Sequence, residues 1–248
     1  DFMNAVDRIV GGLEKKNKIT TEEERRSIAI HEAGHATISW MLRYANPLVK
    51  VTIVPRGKAL GAAWYLPEER QITTTEALQD QLCALLGGRA AEDLFLGRVS
   101  TGAANDLERV TKLAYAMVTY YGMSDKLPNI NYYEMQNDGW NLTKPYSDTT
   151  AEVIDAEVNR IISEQYERAK SILREHEAGH HELADLLLKR EVILADDVER
   201  IFGKRPWASR TEELLGLNAP ATATEETTAD AEAPIPVEGE EKTEEHPE

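Results

Sequence analysis

The sequence is poor in cysteine, in basic residues and in long apolar runs, and each shortage excludes a class of protein. Cys83 is the only cysteine among 248 residues, so no disulfide can form within the chain, and its apolar neighbours predict that it is buried. No apolar stretch approaches the ~18 residues of a membrane span. The formal charge of −16 argues against nucleic acid as a partner.

The acidic residues are concentrated towards the C-terminal end. Residues 219–248 hold ten acidic residues and one lysine, which leaves a charge of −7 on residues 1–218. Their Ala, Thr, Glu and Pro composition cannot bury enough apolar surface to fold. We therefore expect residues 211–248 to form an acidic, disordered tail, either a solvated segment or one that binds a partner.

Apolar periodicity predicts a mainly α-helical fold with one small β-hairpin. Thr20 or Thr21, followed by Glu23 and Glu24, is a capping-box signal for a helix that runs to about Tyr44. β-branched alternation predicts strands over 49–54 and 59–66. Further helices are expected over 1–18, 73–86 (stopped by Gly87-Gly88), 90–95, 106–121, 148–175, 177–190 and 195–203, with an irregular loop over 124–147.

The most informative segment is His31-Glu32-Ala33-Gly34-His35, an HExxH motif. Positions i and i+4 of a helix lie on one face, so His31 and His35 can bind one metal ion together. Glu32 lies beside the first histidine, where it can take a proton from a metal-bound water. This pattern is typical of zinc peptidases.

The same five letters recur at His176-Glu177-Ala178-Gly179-His180. Here the histidines continue a stripe of apolar residues, which predicts the buried face of an amphipathic helix. His181 is expected at the surface. The second copy is therefore interpreted as packing rather than as a metal site.

A catalytic zinc site needs a third protein ligand. The position six residues after His35 is Met41, so a third histidine at the metzincin spacing is absent. The remaining candidates for the third ligand are carboxylates, namely those of Glu76, Asp80, Glu92, Asp93 and Asp106. The residues favour Asp106, which opens a helix after a loop of small residues, with Glu92 next; Asp106 could also be an ordinary N-terminal helix charge.

Several short motifs together resemble the peptidase domain of the FtsH family, the membrane-anchored AAA+ zinc proteases. The resemblance covers nearly everything from Asp1 to Arg210. Its motifs are HEAGHA at 31–36, PRG at 55–57, LG at 60–61, LP at 66–67, GGRAAE at 87–92, STGAANDL at 100–107 and YGMS at 121–124.

The resemblance implies a role for each residue that matches a family motif. His31 and His35 match the histidine ligands of zinc, Glu32 matches the catalytic base, and Asp106 matches the third ligand. The second HEAGH matches no family motif. Residues 1–18 resemble the end of the family's ATPase module, and residues 19–210 its zinc metalloprotease domain, so we expect this chain to be part of a longer protein.

The resemblance also implies partners and a location. The intact protein would be an ATP-dependent, membrane-anchored homo-hexamer that degrades unfolded or membrane proteins, with this domain on the cytoplasmic side and soluble as a fragment. ATP and Mg²⁺ would act only through the ATPase module, because the chain has no GxxxxGK[ST] loop. The alternative is an inactive scaffold of the same fold; the presence of Glu32 favours the enzyme.

Overall fold

The computed structural model describes residues 21–55, 60–68, 70–132 and 146–216. The helices are α1 (Glu22–Met41), α2 (Thr75–Ala91), α3 (Ala104–Thr119), α4 (Asp148–Glu175), α5 (Glu177–Arg190), α6 (Ala195–Phe202) and α7 (Arg210–Leu214). The strands are β1 (Leu48–Thr52), β2 (Ala62–Tyr65) and β3 (Val192–Leu194). The prediction of a mainly helical fold with a small sheet is confirmed. The expected helix over 1–18 lies outside the described residues, as does most of the expected turn at 55–58. Of the tail expected over 211–248, residues 211–214 belong to α7, and residues 217–248 lie outside the described residues.

Helix α1 begins at the capping box that the sequence indicates. The Thr21 hydroxyl accepts a hydrogen bond from the Glu24 backbone N–H at 3.2 Å, and the Glu24 carboxylate accepts one from the Thr21 N–H at 2.8 Å. From Ala29 to Trp40 every residue is buried. Helix α1 is therefore the central helix of the domain.

The sheet is antiparallel, with the strand order β2-β1-β3. Val51 of β1 pairs with Ala63 of β2 on one side and with Ile193 of β3 on the other. Sequence reasoning found the β1–β2 hairpin but missed β3, a strand of three residues that exists through its pairing with β1. Strand β2 lies at an edge of the sheet.

Helices α1 and α2 pack closely through glycines. A Cβ atom on Gly34 would lie 2.5 Å from the carbonyl oxygen of Gly87, so side chains at this crossing would separate the two backbones. The prediction that Gly87-Gly88 stops a helix is wrong, because α2 continues to Ala91. These glycines serve close packing, whose gain outweighs their low helix propensity.

Within residues 21–216, as far as the structure describes them, the core has two buried clusters that share helix α2. One surrounds α1, the sheet and α5, and includes Cys83. The other lies between α2, α3 and α4, around Leu82, Met117 and Ile154. Among the described residues, no helix combines the length and the apolar character needed to cross a membrane.

Candidate active site

A groove of about 1270 Å³ runs across the domain beside the middle of α1. Its walls include His31, Glu32 and His35 from α1, strand β2, and Asp106 from the first turn of α3. The two histidines are one helical turn apart and face the groove together. Their ring centroids are 4.7 Å apart.

The three residues that the FtsH resemblance names as ligands meet in this groove. The Nε2 atoms of His31 and His35 are 3.0 Å apart. Oδ2 of Asp106 lies 3.4 Å from Nε2 of His31 and 3.5 Å from Nε2 of His35. Among the described residues these are the one group of three or more His, Cys, Asp or Glu side chains arranged to share a metal ion. The arrangement leaves one imidazole nitrogen of each histidine and a carboxylate oxygen facing a common point.

The other ring nitrogen of each histidine is held by the protein. Nδ1 of His31 lies 2.8 Å from Oε1 of Glu92, and Nδ1 of His35 lies 2.9 Å from the carbonyl oxygen of Ala84. A carbonyl only accepts hydrogen bonds, so His35 carries its proton on Nδ1 and its Nε2 is free to bind a metal. Such bonds fix both the tautomer and the orientation of ligand histidines.

Glu92 lies behind His31 and outside the group of side chains that could share a metal ion. It is 2 % exposed, and its two oxygens also accept hydrogen bonds from the backbone N–H and the hydroxyl of Ser100. It is the first residue of a π-helical turn, Glu92–Leu96, which ends at Gly97 with a φ of 62°. Sequence reasoning considered Glu92 as a ligand and did not find this second role. The sequence feature that could have pointed to this role is the position of the Glu92 carboxylate, directly after the Gly-Gly-Arg-Ala-Ala segment.

Two glycines make room for the side chains of His31 and Glu32. A Cβ atom on Gly88 would overlap the imidazole ring of His31. A Cβ atom on Gly61, just before β2, would lie 2.7 Å from Oε1 of Glu32. These close contacts place Glu32 between the helix and the edge strand, where it lines the groove.

The charges in the groove shift one another's pKa values. Burial lowers the pKa of His31, but its hydrogen bonds to Asp106 and Glu92 outweigh burial and raise it to about 9. Burial pushes the pKa of Asp106 upward, yet its bonds to both histidines hold it well below the usual range. Burial raises the pKa of Glu32, although the positive charges of His35 and His31 act to lower it. A raised pKa makes a carboxylate a stronger base.

The remaining carboxylates that the sequence offered lie elsewhere. Asp80 forms an ion pair with Arg168 at 2.7 Å. Asp93 forms one with Lys170 at 3.0 Å. Glu76 lies in the first turn of α2. None of the three belongs to the group that could share a metal ion.

The second HEAGH segment lies at the junction of α4 and α5. His180 is completely buried, His176 is half-buried, and His181 is exposed as expected. His180 contacts the rings of Phe95 and His181, while His176 lies near Phe202. The segment contributes to packing against α1, and none of its residues belongs to the metal-binding group.

Comparison with known proteins gives one consistent result. The profile described as peptidase family M41 matches residues 18–201. The chain is 70 % identical over 233 residues to an ATP-dependent zinc metalloprotease FtsH of Parabacteroides distasonis, covering 94 % of this chain and 34 % of that protein. It is 46 % identical over 238 residues to the mitochondrial ATP-dependent zinc metalloprotease FTSH 3 of Arabidopsis thaliana, covering 96 % and 29 %.

A mouse protein is also similar, namely the mitochondrial inner membrane m-AAA protease component AFG3L2. It is 44 % identical over 210 residues, which cover 85 % of this chain and 26 % of the mouse protein. The chain thus spans about a third or less of the length of these curated relatives. Because the family profile covers most of the sequence and its motifs meet in one groove, we conclude that the chain belongs to peptidase family M41.

Proposed function

We propose that residues 19–210 form a zinc-dependent metalloendopeptidase domain, with His31, His35 and Asp106 as ligands and Glu32 as the general base. The observation that carries this proposal is the spacing of the three ligand atoms, 3.0, 3.4 and 3.5 Å from one another. Two imidazoles and one carboxylate are a ligand set found at catalytic zinc sites, which keep a further position open. The names of the similar proteins support the same metal and reaction.

The spacing can be tested against the bond lengths of zinc. A tetrahedral ion with ligands at about 2.0–2.1 Å holds its ligand atoms ~3.3 Å apart. The three separations lie within about 0.3 Å of that value. The residues therefore fit zinc without a change of side-chain position larger than a few tenths of an ångström.

Each residue then has a distinct part in peptide hydrolysis. When bound, zinc supplies Lewis acidity and lowers the pKa of water towards ~7. Glu32 accepts the proton of the attacking water at its carboxylate and returns it to the leaving amine. Glu92 and the carbonyl of Ala84 keep the two histidines oriented through their Nδ1 atoms.

Substrate recognition in this proposal uses strand β2. Its four residues lie at the sheet edge, and Ala62, Ala63 and Tyr65 line the groove beside the ligands. An unfolded polypeptide can add a strand to such an edge through backbone hydrogen bonds, which depend little on the identity of the substrate's side chains. This mode suits a protease that accepts many sequences.

The edge strand can be tested with one substitution. Ala63→Pro removes a backbone N–H from β2 and should raise KM for an unfolded peptide about 10-fold or more while zinc stays bound. Ala63→Val keeps the N–H and is the matched control. Parental kinetics in the proline variant would rule out strand addition here.

The proposal extends to the whole protein through its relatives. We propose that the intact chain carries an AAA+ ATPase module, of which residues 1–18 are the end, and that it works as a membrane-anchored homo-hexamer on unfolded or membrane proteins, with this domain on the cytoplasmic side. The mouse relative's name places that protein in the mitochondrial inner membrane. On this view the 248-residue chain cleaves unfolded proteins more slowly than the intact protein.

One experiment tests the enzyme against the inactive scaffold. Zinc content and casein cleavage are measured for the parent, for Glu32→Gln and for His176→Ala. We expect Glu32→Gln to keep zinc and to lose about 10²–10⁴-fold in rate, as for removal of a general base. His176→Ala should keep both. A parent that binds zinc without cleaving casein or short peptides would support the scaffold instead.

A further inference from the structure

The second HEAGH segment contains a buried histidine that reaches the ligand helix. His180 is 0 % exposed, and its Nε2 lies 3.1 Å from the carbonyl oxygen of Ile30. Because a carbonyl only accepts, this nitrogen carries the proton and donates it. Ile30 directly precedes His31 in α1, so the bond holds the backbone next to a proposed ligand.

The same imidazole also contacts the turn that carries Glu92. Its ring stacks on Phe95 with the centroids 4.4 Å apart and the planes 24° from parallel. Phe95 belongs to the π-helical turn Glu92–Leu96, whose first residue accepts the Nδ1 hydrogen bond of His31. One ring therefore contacts both elements that the His31–Glu92 hydrogen bond joins.

Packing alone does not account for a histidine here. Nδ1 of His180 is buried and has no hydrogen-bond partner in the described part of the chain, which costs stability. Burial lowers the pKa of His180 to about 4, so the ring is neutral at neutral pH. A leucine would fill the apolar space without a stranded nitrogen. Buried polar atoms normally form hydrogen bonds, so a buried nitrogen without a partner needs an explanation. The hydrogen bond from the other ring nitrogen to Ile30 explains why a histidine stands at this position.

We propose that His180 is a positioning residue for the metal site. Its hydrogen bond to Ile30 and its stacking on Phe95 fix the register between α1 and the π-helical turn, and thereby fix the hydrogen bond between His31 and Glu92. The inference rests on the proposed zinc site. Groups behind ligand histidines typically change metal affinity by 10–100-fold when they are removed.

The test compares variants at one position. His180→Leu removes the donor, and His180→Asn has an amide too short to reach Ile30. His180→Gln places an amide nitrogen at about the reach of Nε2 and should restore the bond. His181→Leu is the matched control, because the neighbouring side chain is exposed and also touches Phe95.

The measurements are made on the full 248-residue chain. Zinc affinity is measured by competition with a chelator. The absorption spectrum of the Co²⁺-substituted protein reports the geometry of the metal site. Thermal melts with the metal removed measure the stability of the fold. We expect His180→Leu and His180→Asn to bind zinc at least 10-fold more weakly and to shift the cobalt bands. His180→Gln and His181→Leu should stay within about threefold of the parent.

Two results would overturn the proposal. One is parental zinc affinity and a parental cobalt spectrum in His180→Leu, or in His180→Asn if the leucine variant does not fold. The other is a loss that His180→Gln fails to restore, with affinity falling only in step with the metal-free melting temperature, which would make the residue purely structural. A parent that binds zinc but cleaves nothing refutes the proposed protease and leaves this test intact.

Discussion

Protonation of the buried His180 should make the stability of the domain depend on pH in a defined window. The pKa of this imidazole is lowered by burial to about 4 in the folded chain, against 6.5 when exposed. Between these values the unfolded chain binds the proton more strongly, so stability falls as the pH drops through the window. The contribution is complete above 6.5, and below about 4 both states are protonated and the loss is complete. A difference of 2.5 units corresponds to about 3 kcal/mol in total, of which about 2 kcal/mol is lost by pH 5.

Urea unfolding between pH 7.5 and pH 5 measures this loss, with a chelator present so that metal release does not contribute. The parent should lose about 2 kcal/mol more than His180→Leu over this interval, because the other titrating groups are common to both proteins. His181→Leu, which removes an exposed imidazole, should keep the parental dependence. Equal losses in the parent and in His180→Leu would show that the buried ring is not the source.

Two further predictions concern the frame of the site. Gly34→Ala should lower the free energy of unfolding by about 1–3 kcal/mol, because the new Cβ would lie 2.5 Å from the Gly87 carbonyl oxygen and force α1 and α2 apart. An unchanged midpoint of urea unfolding would contradict the close crossing of the two helices. Glu92→Ala should weaken zinc binding about 10–100-fold by freeing Nδ1 of His31, while Glu92→Gln, which keeps an acceptor oxygen, should lose less. Chelator competition checks the pair, and equal affinities in parent and alanine variant would remove Glu92 from the site.

Local signals in the sequence predicted the helical parts of the fold well. The capping box at Thr21 and the long apolar stripes of α4 and α5 are properties of neighbouring residues, and these helices begin where the sequence indicates. The predicted end of a helix at Gly87-Gly88 was wrong because these positions need glycine for close packing against Gly34 and His31 of α1, which the local sequence does not show. Strand β3 was missed for the same kind of reason, since its three residues are a strand only through β1.

The site shows the same division between local and distant information. His31, Glu32 and His35 could be selected from one helical turn, because their spacing alone places them on one face. Asp106 lies 71 residues after His35, and the residues themselves left Glu92 as a competitor. The family resemblance favoured Asp106, and the structure gives each carboxylate a different position. Asp106 faces both Nε2 atoms and Glu92 lies behind His31. No sequence signal pointed to the bond between His180 and Ile30 across 150 residues.

The ligand set can be tested most directly by an anomalous difference map recorded at the zinc edge from crystals of the zinc-loaded chain. We predict one strong peak within about 2.0–2.2 Å of the Nε2 atoms of His31 and His35 and of a carboxylate oxygen of Asp106. A peak beside His176 and His180, or a peak at the first pentapeptide with Asp106 turned away and Glu92 bound in its place, would contradict the account.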